Sequence, residues 1–414
     1  MEGQTGLKMH FCILAIITVL LGSLGIFACT EAHAQRVIAD RKAVTRSSES
    51  LSAMLESYCE KYGLPAIGAA IIKDGRTVAM GTAGTRKAGQ KIPVNSSDRF
   101  HIGSNTKAIT SLLAAMFVNE GRLRWDSRLD EIFPELSKTI TPGMESITLE
   151  QLLSHSSGMP ADDDPLAERL FAEAYMREND NLSDTRYWAL SRWISRPIAA
   201  APRRKYSYSN MGYVMVGAIL EKVSGRSWEE LVIEKIFVPF RLRTAGFGPQ
   251  SSLGMIDAPL PHKIVDGKIK PMMSGVAADN PLFVGPAGTV HMSLQDFARW
   301  ASWNAGRGKR PPQLIPAGMF VKLTTPVIDL PIPGGRRDLP ERGGYALGWC
   351  EAVFPWSKDA FVWHNGSNQM NLAHIYIQPK TDFAMVLMTN IGNKKAEEAF
   401  GLLAEELYKK YSDR

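Results

Sequence analysis

One stretch of the chain could carry nucleophilic chemistry. Ser104-Asn105-Thr106-Lys107 is the single Ser-x-x-Lys in the sequence. A helical pattern runs on from it through Ala108, Ile109, Leu112, Leu113, Met116 and Phe117, and stops at Gly121. A spacing of three puts Ser104 and Lys107 on one helical face. A serine hydroxyl is a weak nucleophile and needs a base. A lysine whose pKa has been lowered by burial can be that base. The helix N-terminus also favours the negative charge that develops there. Taken alone, the motif is more often a helix cap followed by a surface lysine.

Two further motifs change that balance. Tyr208-Ser209-Asn210 is the single Tyr-x-Asn. A tyrosine beside a lysine can be held as phenolate, or share its proton, and act as general base. Asn210 can hold the lysine and donate to a substrate carbonyl. By itself, a turn ahead of the helix at Tyr213 describes the motif better. His364-Asn365-Gly366 lies on a strand pattern that starts at Phe361. Gly366 permits close approach of the backbone to a ligand. The next residue, Ser367, can supply a backbone N–H to an oxyanion, and the nucleophile's own N–H the other. A strand histidine is otherwise a satisfied core residue.

The order of the three motifs resembles the serine β-lactamase-related family of penicillin-binding-protein-like hydrolases, which includes class C β-lactamases, D-aminopeptidases, D-Ala-D-Ala carboxypeptidases and family VIII esterases. The likeness runs from about Ser47 to Tyr411. It is also carried by Leu152-Leu153-Ser154-His155-Ser156-Ser157-Gly158-Met159-Pro160, Gly285-Pro286-Ala287-Gly288, Tyr345-Ala346-Leu347-Gly348-Trp349 and Met388-Thr389-Asn390. The resemblance implies that Ser104 attacks an acyl carbon and forms an acyl-enzyme. Lys107 and Tyr208 would move protons, and Asn210, His364, Gly366 and Ser367 would line the substrate site. The implied activity is esterase-like, with a D-amino-acid peptidase or a weak β-lactamase as the enzymatic alternative and a non-catalytic envelope scaffold as the third. No cofactor is implied. The sequence has no His-x-His-x-Asp or His-Glu-x-x-His, so no metal is expected.

The chain departs from this family twice. β-Lactamases of the family carry Lys-Thr-Gly where His364-Asn365-Gly366 stands. A neutral imidazole there removes a fixed positive charge. This argues against efficient β-lactam hydrolysis and suits neutral esters, or peptides bound through other contacts. The second departure is the basic run Arg203-Arg204-Lys205 ahead of Tyr206, read here as a solvated cluster. His155 is read as structural, Asp162-Asp163-Asp164 as a loop or helix start, and Trp188 and Trp193 as packing residues.

The elements that must position these residues give an α+β pattern. A helix (Ser47 to Tyr62) and a hairpin about Asp74-Gly75 come first. A helical middle follows, with Pro249 to Pro281 expected to be irregular. Strand character returns at Tyr345 to Val353, Ala360 to His364, Leu372 to Gln378 and Phe383 to Thr389, and an amphipathic helix, Lys394 to Tyr411, closes the chain. The two ends must build one antiparallel sheet, flanked by helices, with the middle inserted as a helical lobe. The expected division is a sheet lobe from about residues 47–103 and 285–411 and a helical lobe of about 104–284.

Composition fits this plan. Of 414 residues, 45% are hydrophobic and 22% charged, enough for a large core. The net charge of +6 is scattered, which disfavours nucleic acid as a partner and allows weak attraction to an anionic envelope surface. The expected partner is a small ester, amide or peptide. Lys8, the apolar run Phe11 to Cys29 and Ala32-His33-Ala34 read as an export signal cleaved after Ala34, giving a periplasmic or secreted protein with a mature domain of residues 35–414. The alternatives are an uncleaved membrane anchor and lipidation at Cys29. Cys59 and Cys350 remain, without metal-ligand spacing.

Overall fold

The computed structural model describes residues 44–412 except 46, 163–164, 178–180, 274, 276–277 and 333–338. The export signal, its cleavage point and Cys29 lie outside the described residues. Leu51–Arg414 forms one compact unit and carries the Ser-x-x-Lys, Tyr-x-Asn and His-x-Gly motifs.

Helix α1 (51–62) leads into the hairpin β1 (Ala66–Lys73) and β2 (Arg76–Gly84). The connecting Asp74 and Gly75 have φ of 51° and 75°, the left-handed pair that a tight two-residue hairpin turn demands. Six later strands complete the sheet: β3 (Ile328–Asp329), β4 (Arg342–Tyr345), β5 (Cys350–Val353), β6 (Phe361–Ser367), β7 (Leu372–Gln378) and β8 (Phe383–Thr389). The order is β2-β1-β8-β7-β6-β5-β4-β3, antiparallel throughout. The two ends of the domain thus meet at the β1–β8 pair, with Ile67 opposite Thr389.

Both faces of the sheet are covered, which is why β1 is buried along almost its whole length. Ile67, Ala69 and Ile71 face Leu51 and Leu55 of α1 and Phe400, Leu403 and Leu407 of α6 (Lys394–Tyr411). Ala66, Ala70 and Ile72 turn the other way, into the core shared with α2 (Thr106–Asn119) and α5 (Leu294–Ala305). The period of two decides which core each residue joins. Helix α2 is buried from Thr106 to Phe117, as a helix wrapped on all sides must be. Helix α4 (Asn210–Ser224) packs beside it, and α3 (Leu182–Trp193) packs against α4.

Two expectations need correction. Tyr345 to Val353 is not one strand: it breaks into β4 and β5 around Gly348, at φ 76°. A Cβ at Gly348 would lie 2.7 Å from the Lys107 carbonyl oxygen and 2.5 Å from Ser111 Oγ, so the turn presses against α2. The stretch 249–281 also holds order. His262–Val265 and Lys268–Pro271 form a hairpin through Asp266 and Gly267, at φ 51° and 71°. Cys59 and Cys350 are free thiols, half-buried and buried.

Candidate active site

Ser104 sits in a tight turn ahead of α2. Gly103, at φ 53°, reverses the chain just before it. Asn105 Nδ2 donates to the Ile102 carbonyl at 2.7 Å and to the Ala373 carbonyl at 3.0 Å, fastening the turn to β7. Thr106 Oγ1 donates to the Gly103 carbonyl at 2.7 Å. Strand β6 passes so close that a Cβ on Gly366 would lie 2.0 Å from the Ile102 oxygen and 2.6 Å from the Ser104 nitrogen. Gly366 was expected to give room to a ligand; it gives room to the nucleophile's own turn. Gly366→Ala is therefore expected to displace Ser104 and lower kcat at least about tenfold, with about 1–3 kcal/mol lost from stability through overpacking. Ester kinetics and thermal melts measure both.

Lys107 Nζ lies 3.1 Å from Ser104 Oγ, 2.6 Å from Asn210 Oδ1 and 2.8 Å from the Ala287 carbonyl oxygen. Its side chain is fully buried. Burial pulls its pKa down to about 7, with Asp162 pulling the other way. The Tyr208 and Tyr213 ring faces, with centroids 4.7 and 5.3 Å from Nζ, also favour the ammonium. Tyr208 donates its hydroxyl to Ser104 Oγ at 2.7 Å. Burial raises the Tyr208 pKa, so at rest it is a neutral phenol and not the phenolate considered above.

Asn210, the first residue of α4, reaches Lys107 with its side chain, and its N–H donates to Asp162 at 2.8 Å. Asp162 also takes a weak bond from Ser209 Oγ at 3.4 Å. Read as a loop or helix start, this residue also takes the first backbone N–H of α4 and is the acid that acts on Lys107. Nothing in its acidic run marks a partner 48 residues away. His155 is structural in its contacts: Nδ1 accepts the Ser209 N–H at 3.2 Å, and its ring lies 4.3 Å from that of Tyr208. Arg203, from the basic run, pairs with Glu150, as does Lys322.

A cleft of about 720 Å³ opens in front of Ser104, with Asn210, Asn280, Ser367 and Asn368 among its walls. His364 is not among them. It is 2% exposed, its Nδ1 is 2.5 Å from the Asn365 oxygen and its Nε2 is 3.0 Å from the Tyr345 hydroxyl. Burial first, then Lys107, lowers its pKa to about 3, so it is uncharged. Both ring nitrogens serve the protein. The structure thus brings Ser104, Asn210 and Ser367 to the wall of one cleft, joins Lys107 and Tyr208 to Ser104 Oγ, and leaves His364 and Gly366 off that wall. No group of metal-ligating side chains occurs among the described residues.

A serine beside a buried lysine, on this antiparallel sheet with flanking helices, defines a serine hydrolase. The family model described as Beta-lactamase matches residues 41–408, and the chain belongs to that family. It is similar to Protein flp of Staphylococcus aureus, at 22% identity over 88% of this chain and 68% of that protein. Among solved structures it resembles the octameric penicillin-binding protein homologue from Pyrococcus abyssi, with a TM-score of 0.67 and 26% identity over 86% of this chain and 77% of that one. It also resembles a D-stereospecific amidohydrolase from Streptomyces sp., with a TM-score of 0.65 and 21% identity over 84% and 97%.

Proposed function

We propose that the protein is an exported, esterase-like acyl hydrolase that works through an acyl-enzyme on Ser104. The observation that carries this is Ser104 Oγ within 3.1 Å of a fully buried Lys107 amine whose pKa is about 7. In the neutral form that amine takes the serine proton as Oγ bonds to the acyl carbon. The oxyanion is held by the Ser104 and Ser367 N–H groups. Tyr208 gives its proton to the departing group and regains one from the Lys107 ammonium. Water then enters, loses a proton by the same groups, and releases the acid and Ser104. The uncharged His364 gives strand β6 no cation at the Lys-Thr-Gly position for a β-lactam carboxylate, which supports slow β-lactam turnover. Amides of D-amino acids are the second reading, favoured by the likeness to the Streptomyces amidohydrolase. The segment 1–34 is the proposed export signal.

The test is intact mass after incubation with a fluorophosphonate, a short-chain p-nitrophenyl ester and a β-lactam, beside Ser104→Ala. The native protein is expected to gain one adduct that the variant lacks, to turn over the ester, and to acylate slowly with the β-lactam. No adduct and no turnover with any probe would overturn the acyl-hydrolase reading and leave a scaffold.

A further inference from the structure

Among the described residues, one cation, Lys263, lines the cleft in front of Ser104, which Gln369 and Met370 line as well. No carboxylate among the described residues pairs with its ammonium. The carboxylate that lines the cleft, Asp279, is engaged elsewhere. It stands 2.9 Å from His101 Nε2, and accepts from the Asn280 N–H at 2.7 Å and from Asn368 Nδ2 at 3.0 Å. It is also only 5% exposed.

Lys263 is held in place by its neighbour. His262 is fully buried; its N–H donates to the Asn390 carbonyl at 2.9 Å, and its Nε2 accepts the Ala88 N–H at 3.0 Å. The chain leaves the core at His262, so Lys263 is the first side chain out. Across the hairpin it stands opposite Lys270. Like charges directly opposed on a sheet are unfavourable. The hairpin's acid, Asp266, is 4.0 Å from Lys270 and exposed. An anion over this face would relieve the pair. A cation that shares the cleft wall with the amides of Asn280, Asn368 and Gln369 is chemistry suited to a carboxylate, even with one amide hydrogen of Asn280 given to the Gly288 carbonyl and one of Asn368 to Asp279.

We propose that Lys263 selects the substrate of this cleft, and that the substrate carries a carboxylate on the part directed at the 367–370 loop. This rests on the acyl-hydrolase reading above. The cation comes from the hairpin, not from strand β6 and not from the Arg203 run.

The experiment compares p-nitrophenyl butyrate with two charged esters. Mono-p-nitrophenyl glutarate puts the carboxylate on the acyl side, and m-butyryloxybenzoate puts it on the leaving group. In Lys263→Gln, kcat/KM for at least one charged ester is expected to fall about tenfold or more, mainly through KM, with the neutral ester within about twofold of native. Lys263→Arg should restore most of the loss. Added salt should shrink the native preference and leave that of Lys263→Gln unmoved. An unchanged charged-to-neutral ratio in Lys263→Gln, with the neutral ester still turned over, overturns the assignment of Lys263 alone. Failure of the native enzyme on all three esters overturns the acyl-hydrolase reading and this proposal with it.

Discussion

Lys107→Met is expected to lower kcat/KM on a p-nitrophenyl ester by at least about 10³-fold, near the upper range for loss of a positioned general base. The protein should remain folded. The native enzyme should show an activity limb that rises through about pH 7, where the buried amine loses its proton, and then levels. The variant should have no such limb. Stability provides an independent check. The folded pKa of Lys107 lies below its ordinary value of 10.5. Between the two, the unfolded chain binds the proton and the folded one does not, so this group's contribution to stability rises with pH from about 7 to 10.5. Below that window both states are charged and the burial cost is fully present. The melting temperature of the native protein relative to Lys107→Met should therefore climb from pH 7 to pH 10. A flat difference would mean that the lysine is not held desolvated.

The second large effect is on folding. Arg186 on α3 is fully buried and faces two acids. Its Nη2 reaches Glu221 Oε1 of α4 at 2.6 Å and Glu229 Oε2 at 2.7 Å, and its Nε reaches Glu221 Oε1 at 3.0 Å. Glu221 also accepts the Trp228 N–H at 2.9 Å, tying in the next helix. Removing the guanidinium leaves two carboxylates facing each other with little water. Arg186→Met is expected to cost about 3–5 kcal/mol, or a fall in melting temperature on the order of 5 °C for a domain of this size. Arg186→Lys should recover only part of it, because an ammonium cannot serve both carboxylates in a fork. Differential scanning calorimetry reads the result directly. A variant as stable as the native protein would show that the pairs balance their own desolvation.

What was legible in the sequence was what local chemistry and periodicity report together. Ser104 and Lys107 share a helical face, and the apolar pattern behind them marks the helix that carries them; that this helix is buried on all sides is what the structure adds. The β1–β2 turn was readable because Asp74-Gly75 admits few geometries. The same signal at Asp266-Gly267 is masked by the proline, glycine and methionine around it, a composition that reads as irregular backbone, and the hairpin that presents Lys263 is hidden with it. Partners distant along the chain were harder. Asp162 looks like any acid in a loop until Asn210 is placed beside it. His364 could be read as a missing cation, but not as a residue whose two nitrogens are taken up by Tyr345 and Asn365. Gly366 is readable as a special backbone position and Gly348 is not, because a strand pattern runs through it; whether a ligand or the protein itself presses on a glycine is a tertiary fact.

The pairing of Ile67 with Thr389 has a consequence for the order of events in the cell. Strand β8 is synthesised well after β1, its partner, and Ser104 is fastened by Ala373 and fitted against Gly366, both also far downstream of it. Contacts so distant in sequence form slowly, since a long loop must close before they yield any stabilisation. A ribosome-bound chain thus carries Ser104 and Lys107 without the frame that aligns them. Catalytic power therefore arrives only when these downstream strands have paired, and a chain in which they have not yet done so is inactive however complete its helix α2 is.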